Sequence, residues 1–220
     1  MSVAPVRVVV WGAGGHALVV ADILRLTTGL ELVGFLDDDA GRRGEAFGGL
    51  KILGGQRDLQ ALRRDGVEKA AIAFGDCAGR LAAVDVVVDA GLELHTAVHP
   101  RAIVADSAVV GAGTVVAAGA IIGVAARIGR AVIVNTAASI DHECEVDDGA
   151  HIGPGARLGG RVVVGRGAWV GIGATVRDRI TIGEASLIGA GAVVVRDVPA
   201  RVVAYGVPAS IRRGVGNAQV

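Results

Sequence analysis

The sequence predicts an α/β Rossmann-like N-terminal layer followed by a parallel β-helix of hexapeptide repeats. Three observations carry this. First, every sixth residue from Val104 to Val194 is Val, Ile or Leu, sixteen positions in succession without an insertion. Ala stands two places before the aliphatic at ten of those positions, and Gly directly after it at nine. A period of six is neither that of a helix nor that of an alternating strand; it marks stacked units of one short strand and one turn. Second, the chain is 52% hydrophobic but only 3% aromatic, with 35 Gly, which suits a thin core of small branched side chains. Third, the apolar run Val8-Val9-Val10 leads into Gly12-Ala13-Gly14-Gly15-His16-Ala17, a strand feeding a glycine-rich turn.

The elements follow in order. Arg7 to Trp11 reads as a buried parallel strand, Ala17 to Leu26 as a helix, and Leu30 to Leu36 as a second strand that ends in Asp37-Asp38-Asp39. Gly12, Gly14 and Ala17 fit G-x-G-x-x-G/A, with Asp37 about twenty residues on. Such a turn offers backbone N–H groups to an anion at a helix N-terminus, and the acidic strand end can accept hydrogen bonds from a ribose or a base. Strand character returns at Lys51 to Gly54 and at Ala70 to Phe74, the latter followed by Gly75-Asp76. Helices are expected over about Arg57–Arg64 and Gly79–Ala90, and a last strand over Glu93–Val98. This is half of a doubly wound dinucleotide domain. It leaves open a single nucleotide or the nucleotide half of a nucleotide sugar, NAD, and a fingerprint kept for packing. Three segments result: 1–95, a Rossmann-like nucleotide-sugar-binding layer; 96–198, the β-helix; and 199–220, a C-terminal tail.

In each repeat the aliphatic points inward, the small residue sits near the turn, and the Gly is expected to adopt backbone angles closed to other residues. Three units make a coil of eighteen residues, so sixteen make just over five coils. Period alone does not give the hand of the coil.

The net charge is zero, which suggests neither nucleic acid nor a polybasic membrane anchor as a partner. The charge is uneven, however: residues 150–220 hold nine of the 22 basic and three of the 22 acidic residues, which suits a polyanion such as coenzyme A or is simply a solvated basic surface. Cys77 and Cys144 form neither a disulfide framework nor a zinc spacing, and no metal is expected. Without a signal peptide or a long apolar run, the expectation is a cytoplasmic protein.

One stretch of the repeats departs from Gly, Ala, Val and Arg: Asn135-Thr136 through Ser139-Ile140-Asp141-His142-Glu143-Cys144-Glu145. His142 falls near a turn, facing out. An imidazole there can take a proton near neutral pH, and a carboxylate beside it, Glu143 or Asp141, can fix its tautomer. The other reading is a surface histidine in a polar turn. His151, next to inward Ile152, also points away from the coil interior. Nine residues, half a coil, separate the two histidines, so they lie on different sides of one β-helix and meet only across a subunit boundary. Cys144 occupies a small-residue position and is expected to be packed rather than nucleophilic.

The Gly-Ala-Gly-Gly-His turn, Phe-Leu-Asp-Asp after the second strand, the Asn-Thr…Asp-His-Glu repeat and the Tyr205-Gly206-Val207-Pro208-Ala209 ending together resemble the sialic acid O-acetyltransferase-like family of hexapeptide acyltransferases. The resemblance is to its branch of N-acetyltransferases for nucleotide-linked 4-amino sugars, of the UDP-N-acetylbacillosamine and GDP-perosamine types. It implies a left-handed β-helix, a homotrimer with sites between subunits, and acetyl-CoA as acetyl donor. It implies His142 as general base, with Glu143 raising its basicity. Gly14, Gly15 and His16 would hold the sugar-nucleotide phosphates, Asp37 and Asp38 the nucleoside, and Gly75 a further part of the substrate. His151, Ile172 and Ala190 would contact acetyl-CoA. Beside N-acetylation stand O-acetylation of a sialic acid or related sugar, and a non-catalytic trimeric scaffold that senses nucleotide sugars.

Overall fold

The computed structural model describes residues 4–216; residues 1–3 and 217–220, the ends of the first and last expected segments, lie outside the described residues. Strand β1 (Val6–Trp11) is the centre of the first layer, and Val8, Val9 and Val10 are fully buried. Helix α1 (Gly15–Leu26) returns the chain to β2 (Leu30–Leu36), which lies parallel to β1. A short hairpin that the sequence reading missed follows, β3 (Ala46–Phe47) with β4 (Leu50–Gly54). Then come α2 (Leu59–Arg64), β5 (Lys69–Ile72), α3 (Cys77–Asp89) and β6 (Glu93–Leu94), giving the sheet order β3-β4-β2-β1-β5-β6.

Three of the departures from the expected boundaries have a clear local reason. Helix α3 begins at Cys77 because the Asp76 carboxylate accepts the Gly79 N–H at 2.8 Å and caps it. Strand β5 stops at Ile72 rather than Phe74 because the Phe74 and Gly75 carbonyls turn to the Arg80 guanidinium. The single strand expected over Glu93–Val98 is divided between two sheets. His95 N–H still bonds to Ala70 in the α/β sheet, whereas β7 (Ala97–Val98) pairs with the β-helix.

The β-helix runs through sixteen two-residue strands, β8 (Ile103–Val104) to β23 (Val193–Val194), wound left-handed in three parallel sheets. Among these sixteen strands partners are eighteen residues apart, as Val115 with Ile133 and Ile133 with His151. The inward column is dry: Ile122, Ile140, Ile152, Val164, Val170 and Ile188 are fully buried, each contributing about 1.5–3 kcal/mol. The small residues two places earlier (Ala120, Ala138, Ala150, Ala168) are fully buried too, filling the corners of the same core. Beyond Val198, where a tail was expected, β24 (Val202–Gly206) continues the sheet beside Leu187 and Ile188 and turns back as β25 (Ala209–Gly214).

The glycine after each aliphatic has a different purpose from the one expected. Positive φ falls two residues later, at Ala125, Ala137, Glu143, Arg161 and their equivalents. The glycine is required because stacked turns approach closely: a Cβ on Gly165 would lie 2.6 Å from the Glu184 nitrogen. Gly165→Val therefore forces two coils apart. We expect a loss of about 1–3 kcal/mol, read as a lower melting temperature with the far-ultraviolet signature of the fold retained.

The two layers share their interior. Ala17, Val20 and Ala21 of α1 pack with Ala97, Val115 and Ile133 of the β-helix, and Leu81 lies against Gly149, where a Cβ would meet its side chain at 2.4 Å.

Candidate active site

The glycine turn opens a cleft of about 510 Å3 at the C-terminal ends of β1, β2 and β5. Gly14, Gly15, His16, Asp37, Asp38 and Gly75 all line it, as do Trp11, Phe74 and Arg42, which the sequence reading did not single out. The glycines divide by role. Gly12 has φ +126°, and a Cβ there would lie 2.7 Å from the Ala73 oxygen, so packing demands it. Gly14 and Gly15 have nothing within 4 Å of a Cβ, and Gly14 is the N-cap of α1. Here a side chain would fill the cradle in front of free helix N–H groups, which suits a phosphate.

The two aspartates are held by the protein itself. The Asp38 carboxylate accepts Trp11 Nε1–H at 3.2 Å and the Gln56 N–H at 2.7 Å. Asp37 accepts the Asp39 N–H and pairs with Arg42, whose guanidinium also reaches the Ala13 carbonyl. Each carboxylate oxygen retains a second lone pair, so the two side chains present a fixed set of acceptors.

Behind the cleft, His16 and His151 approach one another through Arg80. His151 faces away from the coil core, as expected, but is only 5% exposed because the first layer covers it. Its ring lies against Trp169 at 4.0 Å between centroids. Asn135 Oδ1 accepts the Thr136 N–H at 2.8 Å, so the Asn135 amide must donate to His151 Nε2, 3.1 Å away. The proton of neutral His151 is thereby placed on Nδ1, which makes no close hydrogen bond although the Gly75 backbone favours the protonated ring, and His16 Nε2 is buried and unpaired. Burial, and then the Arg80 charge, pushes His16 down to about 4; burial, Arg80 and His16 push His151 down to about 3.

His142 is elsewhere, in the exposed turn between β14 (Ser139–Ile140) and β15 (Glu145–Val146). Asp141 accepts the His142 backbone N–H at 2.7 Å and so shapes the turn rather than the imidazole. Glu143 accepts from His142 Nδ1 at 3.0 Å, and Arg161 of the next coil donates to the same carboxylate oxygen at 2.9 Å. Arg161 first, then His142, holds the Glu143 carboxyl below its usual range. With Nδ1–H directed at Glu143, the Nε2 lone pair is free, the arrangement a general base needs. Nε2 lies over Gly160, where a Cβ would meet it at 2.5 Å. Cys144 is buried and contacts the Gly159 carbonyl.

Ile172 and Ala190 are one coil apart at one corner of the β-helix, joined by Gly191 N–H to Ile172 O at 2.8 Å, and both are exposed. Thr136 and Pro154 precede them in the same column, and Asn135, the partner of His151, adjoins its start. Among the described residues no group of His, Cys, Asp and Glu side chains could hold a metal ion.

Residues 7–87 match the family described as PglD N-terminal domain, and residues 161–196 match bacterial transferase hexapeptide (six repeats). The structure is similar to PerB from Caulobacter crescentus in complex with CoA and GDP-perosamine, at 39% identity and a TM-score of 0.90, covering 96% of this chain and 100% of that one. The chain belongs to the hexapeptide-repeat sugar N-acetyltransferases. Within this family it is also similar to the acetyltransferase domain of PglB from Neisseria gonorrhoeae in complex with acetyl coenzyme A, at 35% identity and a TM-score of 0.89, covering 95% and 100% of the two chains. WeeI from Acinetobacter baumannii, at 23% identity and a TM-score of 0.82 over 93% and 99%, shares the fold. No curated protein matches in sequence.

Family membership makes the chain an acetyl-CoA-dependent acyltransferase of the nucleotide-amino-sugar class, as the motifs implied. The residues the motifs pointed to do not all meet in this chain: Gly14, Gly15, His16, Asp37, Asp38 and Gly75 line one cleft, and His142 lies outside it. Arg80, Trp169 and Arg161 were not read from the sequence. Arg161 alone carried a signal, since it stands eighteen residues after Glu143.

The two buried imidazoles have a consequence for stability. In the unfolded chain they take up protons near 6.5, and in the folded protein only near 4 and 3. The unfolded state therefore binds more protons across that interval, and stability rises with pH through it. Melting temperatures should fall from about pH 7 to about pH 5, and His16→Gln should flatten that slope; an equal slope would contradict a neutral buried His16.

Proposed function

We propose that this enzyme acetylates the 4-amine of a nucleotide-linked amino-deoxy sugar of the UDP-N-acetylbacillosamine type, with His142 as general base and acetyl-CoA as donor. The observation that carries this is the Arg161–Glu143–His142 relay, which leaves Nε2 open on an exposed turn. The free amine attacks the thioester carbonyl directly. The new C–N bond forms, His142 Nε2 accepts the proton released from nitrogen, and the C–S bond breaks. The coenzyme A thiolate leaves and is protonated from the imidazolium. The phosphates lie in the Gly14–Gly15–His16 turn, the nucleoside beside Asp37 and Asp38, and the sugar toward Gly75. The thioester arm follows the Ile172–Ala190 corner and reaches His151.

The enzyme acts as a homotrimer in which His142 of one subunit completes the cleft of its neighbour. Ile103, Ile121 and Val124 are 64%, 42% and 61% exposed, and Val124 stands one coil before His142, so a second copy would cover an apolar face that ends at the base. Among the described residues no helix is long and apolar enough to cross a membrane; we place the reaction in the cytoplasm, where acetyl-CoA is available. A GDP-linked acceptor is the second reading, favoured by the relative in complex with GDP-perosamine.

Thiol release from acetyl-CoA with UDP-, GDP- and dTDP-linked amino sugars, and with free sialic acid, identifies the acceptor. Release with none of the nucleotide sugars would overturn the proposal, and release with sialic acid alone would make the enzyme an O-acetyltransferase. His142→Ala should lower kcat about 10^2- to 10^4-fold while nucleotide binding survives. Gly160→Ala needs no unusual φ and displaces only the His142 ring. It should lower kcat by up to about a hundredfold with both KM values nearly unchanged; a wild-type kcat would show that the ring position is not critical.

A further inference from the structure

Among the described residues Arg80 is the largest fully buried side chain, and it forms no ion pair, although the Asp76 charge acts on it. Instead its guanidinium collects carbonyls. Nη1 donates to Phe74 O at 3.1 Å and Gly75 O at 2.8 Å, both on the wall of the nucleotide cleft. Nε donates to Ala131 O at 2.7 Å, and Nη2 to Gly149 O at 2.7 Å and Ala150 O at 3.2 Å, in the β-helix turns that precede Ile133 and His151. The Phe74, Ala131 and Gly149 carbonyls accept no backbone N–H. One cation thus satisfies orphan acceptors from both layers at once, with a planar fork of donors that lysine does not have.

We propose that Arg80 is a positioning residue for acetyl transfer: by holding the Phe74–Gly75 edge of the cleft to the turn before His151, it fixes where a bound nucleotide sugar lies against the β-helix. The proposal rests on the acetyl-transfer reading above. Substrate in the cleft touches the first layer, whereas the acetyl group is delivered along the β-helix. Loss of the pin would let the two walls slide without dismantling either, because Leu81 on Gly149 and the Ala17–Val115 contacts still join the layers. Besides burial, Arg80 acts on His16, and Arg80, His16 and, in the opposite sense, the Gly75 backbone act on His151, while Cys77 and Asp76 act on Arg80 itself. Removing the one fixed cation takes away an influence that lowers both imidazoles.

The test compares Arg80→Lys and Arg80→Met with Leu81→Ala, which weakens the same junction without touching Gly75. In both Arg80 variants kcat/KM for the nucleotide sugar should fall at least about tenfold, the scale of one lost charge-assisted hydrogen bond. KM for acetyl-CoA, and the affinity for UDP or GDP alone, should stay within about threefold of wild type. Leu81→Ala should lower the melting temperature yet keep kcat/KM. In Arg80→Met, imidazole resonances of His16 and His151 should titrate at higher pH than in wild type. The proposal is overturned if the Arg80 variants keep kcat/KM, if all constants fall together as they do in Leu81→Ala, or if Arg80→Lys fails to fold, which would make Arg80 a folding residue only. Nucleotide affinity and imidazole titration need no acetyl transfer. A wild-type protein inactive on every amino sugar would therefore sink the functional reading alone, and unmoved imidazoles would still count against Arg80.

Discussion

A guanidinium without a counter-ion joins the two halves of this molecule. Arg80 gives up its hydration to reach six backbone carbonyls, those of Phe74, Gly75 and Asp76 in the α/β layer and of Ala131, Gly149 and Ala150 in the β-helix. Burying a charge is costly unless its donors are used, and here three of the carbonyls, those of Phe74, Ala131 and Gly149, accept no backbone N–H. Burial first, and then the same charge, keeps protons off His16 and His151, so neutral imidazoles that can donate and accept hydrogen bonds lie between the cleft and the β-helix. The junction of the layers and the charge state of the buried histidines thus meet at one side chain, which the proposal makes the positioner of the substrate as well.

The β-helix supplies the other half of the geometry. A register of eighteen residues places every functional side chain in a column, and its neighbours in that column decide what it can do. Gly160 gives the His142 ring its space, and Arg161 anchors Glu143 from one coil away. Thr136, Pro154, Ile172 and Ala190 form a corner short of bulk and charge. The two histidines have opposite characters as a result. His142 is exposed, with a free Nε2 and an ionised partner; His151 is enclosed, with its tautomer set by Asn135. The first suits proton transfer, and the second suits orientation of a bound group.

The repeats, the strand that enters the glycine turn, and the Asp-His-Glu turn were all legible because each departs from a simple period or composition. What escaped depended on contacts between distant segments. Arg80 sits within an apolar helix stretch and reads as one more solvated arginine, since nothing local shows that Ala131 and Gly149 lack partners. Trp169 reads as an outward residue of an ordinary rung. The division of Glu93–Val98 between two sheets follows from where the layers dock, which no local propensity records. The glycine after each aliphatic was recognised but misjudged, because close approach of coils and positive φ leave the same residue type in a sequence.

The central claim is that the cleft pinned by Arg80 in one subunit receives its base from the His142 turn of the next. Subunit complementation tests this most directly. A His142→Ala protein and a protein with the cradle filled by Gly15→Val, each inactive, are unfolded, mixed, refolded together and assayed. Sites shared between subunits predict that the mixture regains acetyl transfer, because some clefts with an intact cradle face an intact His142. A mixture as inactive as its parents, with mixed oligomers present, would contradict the account and place both halves of the site in one chain.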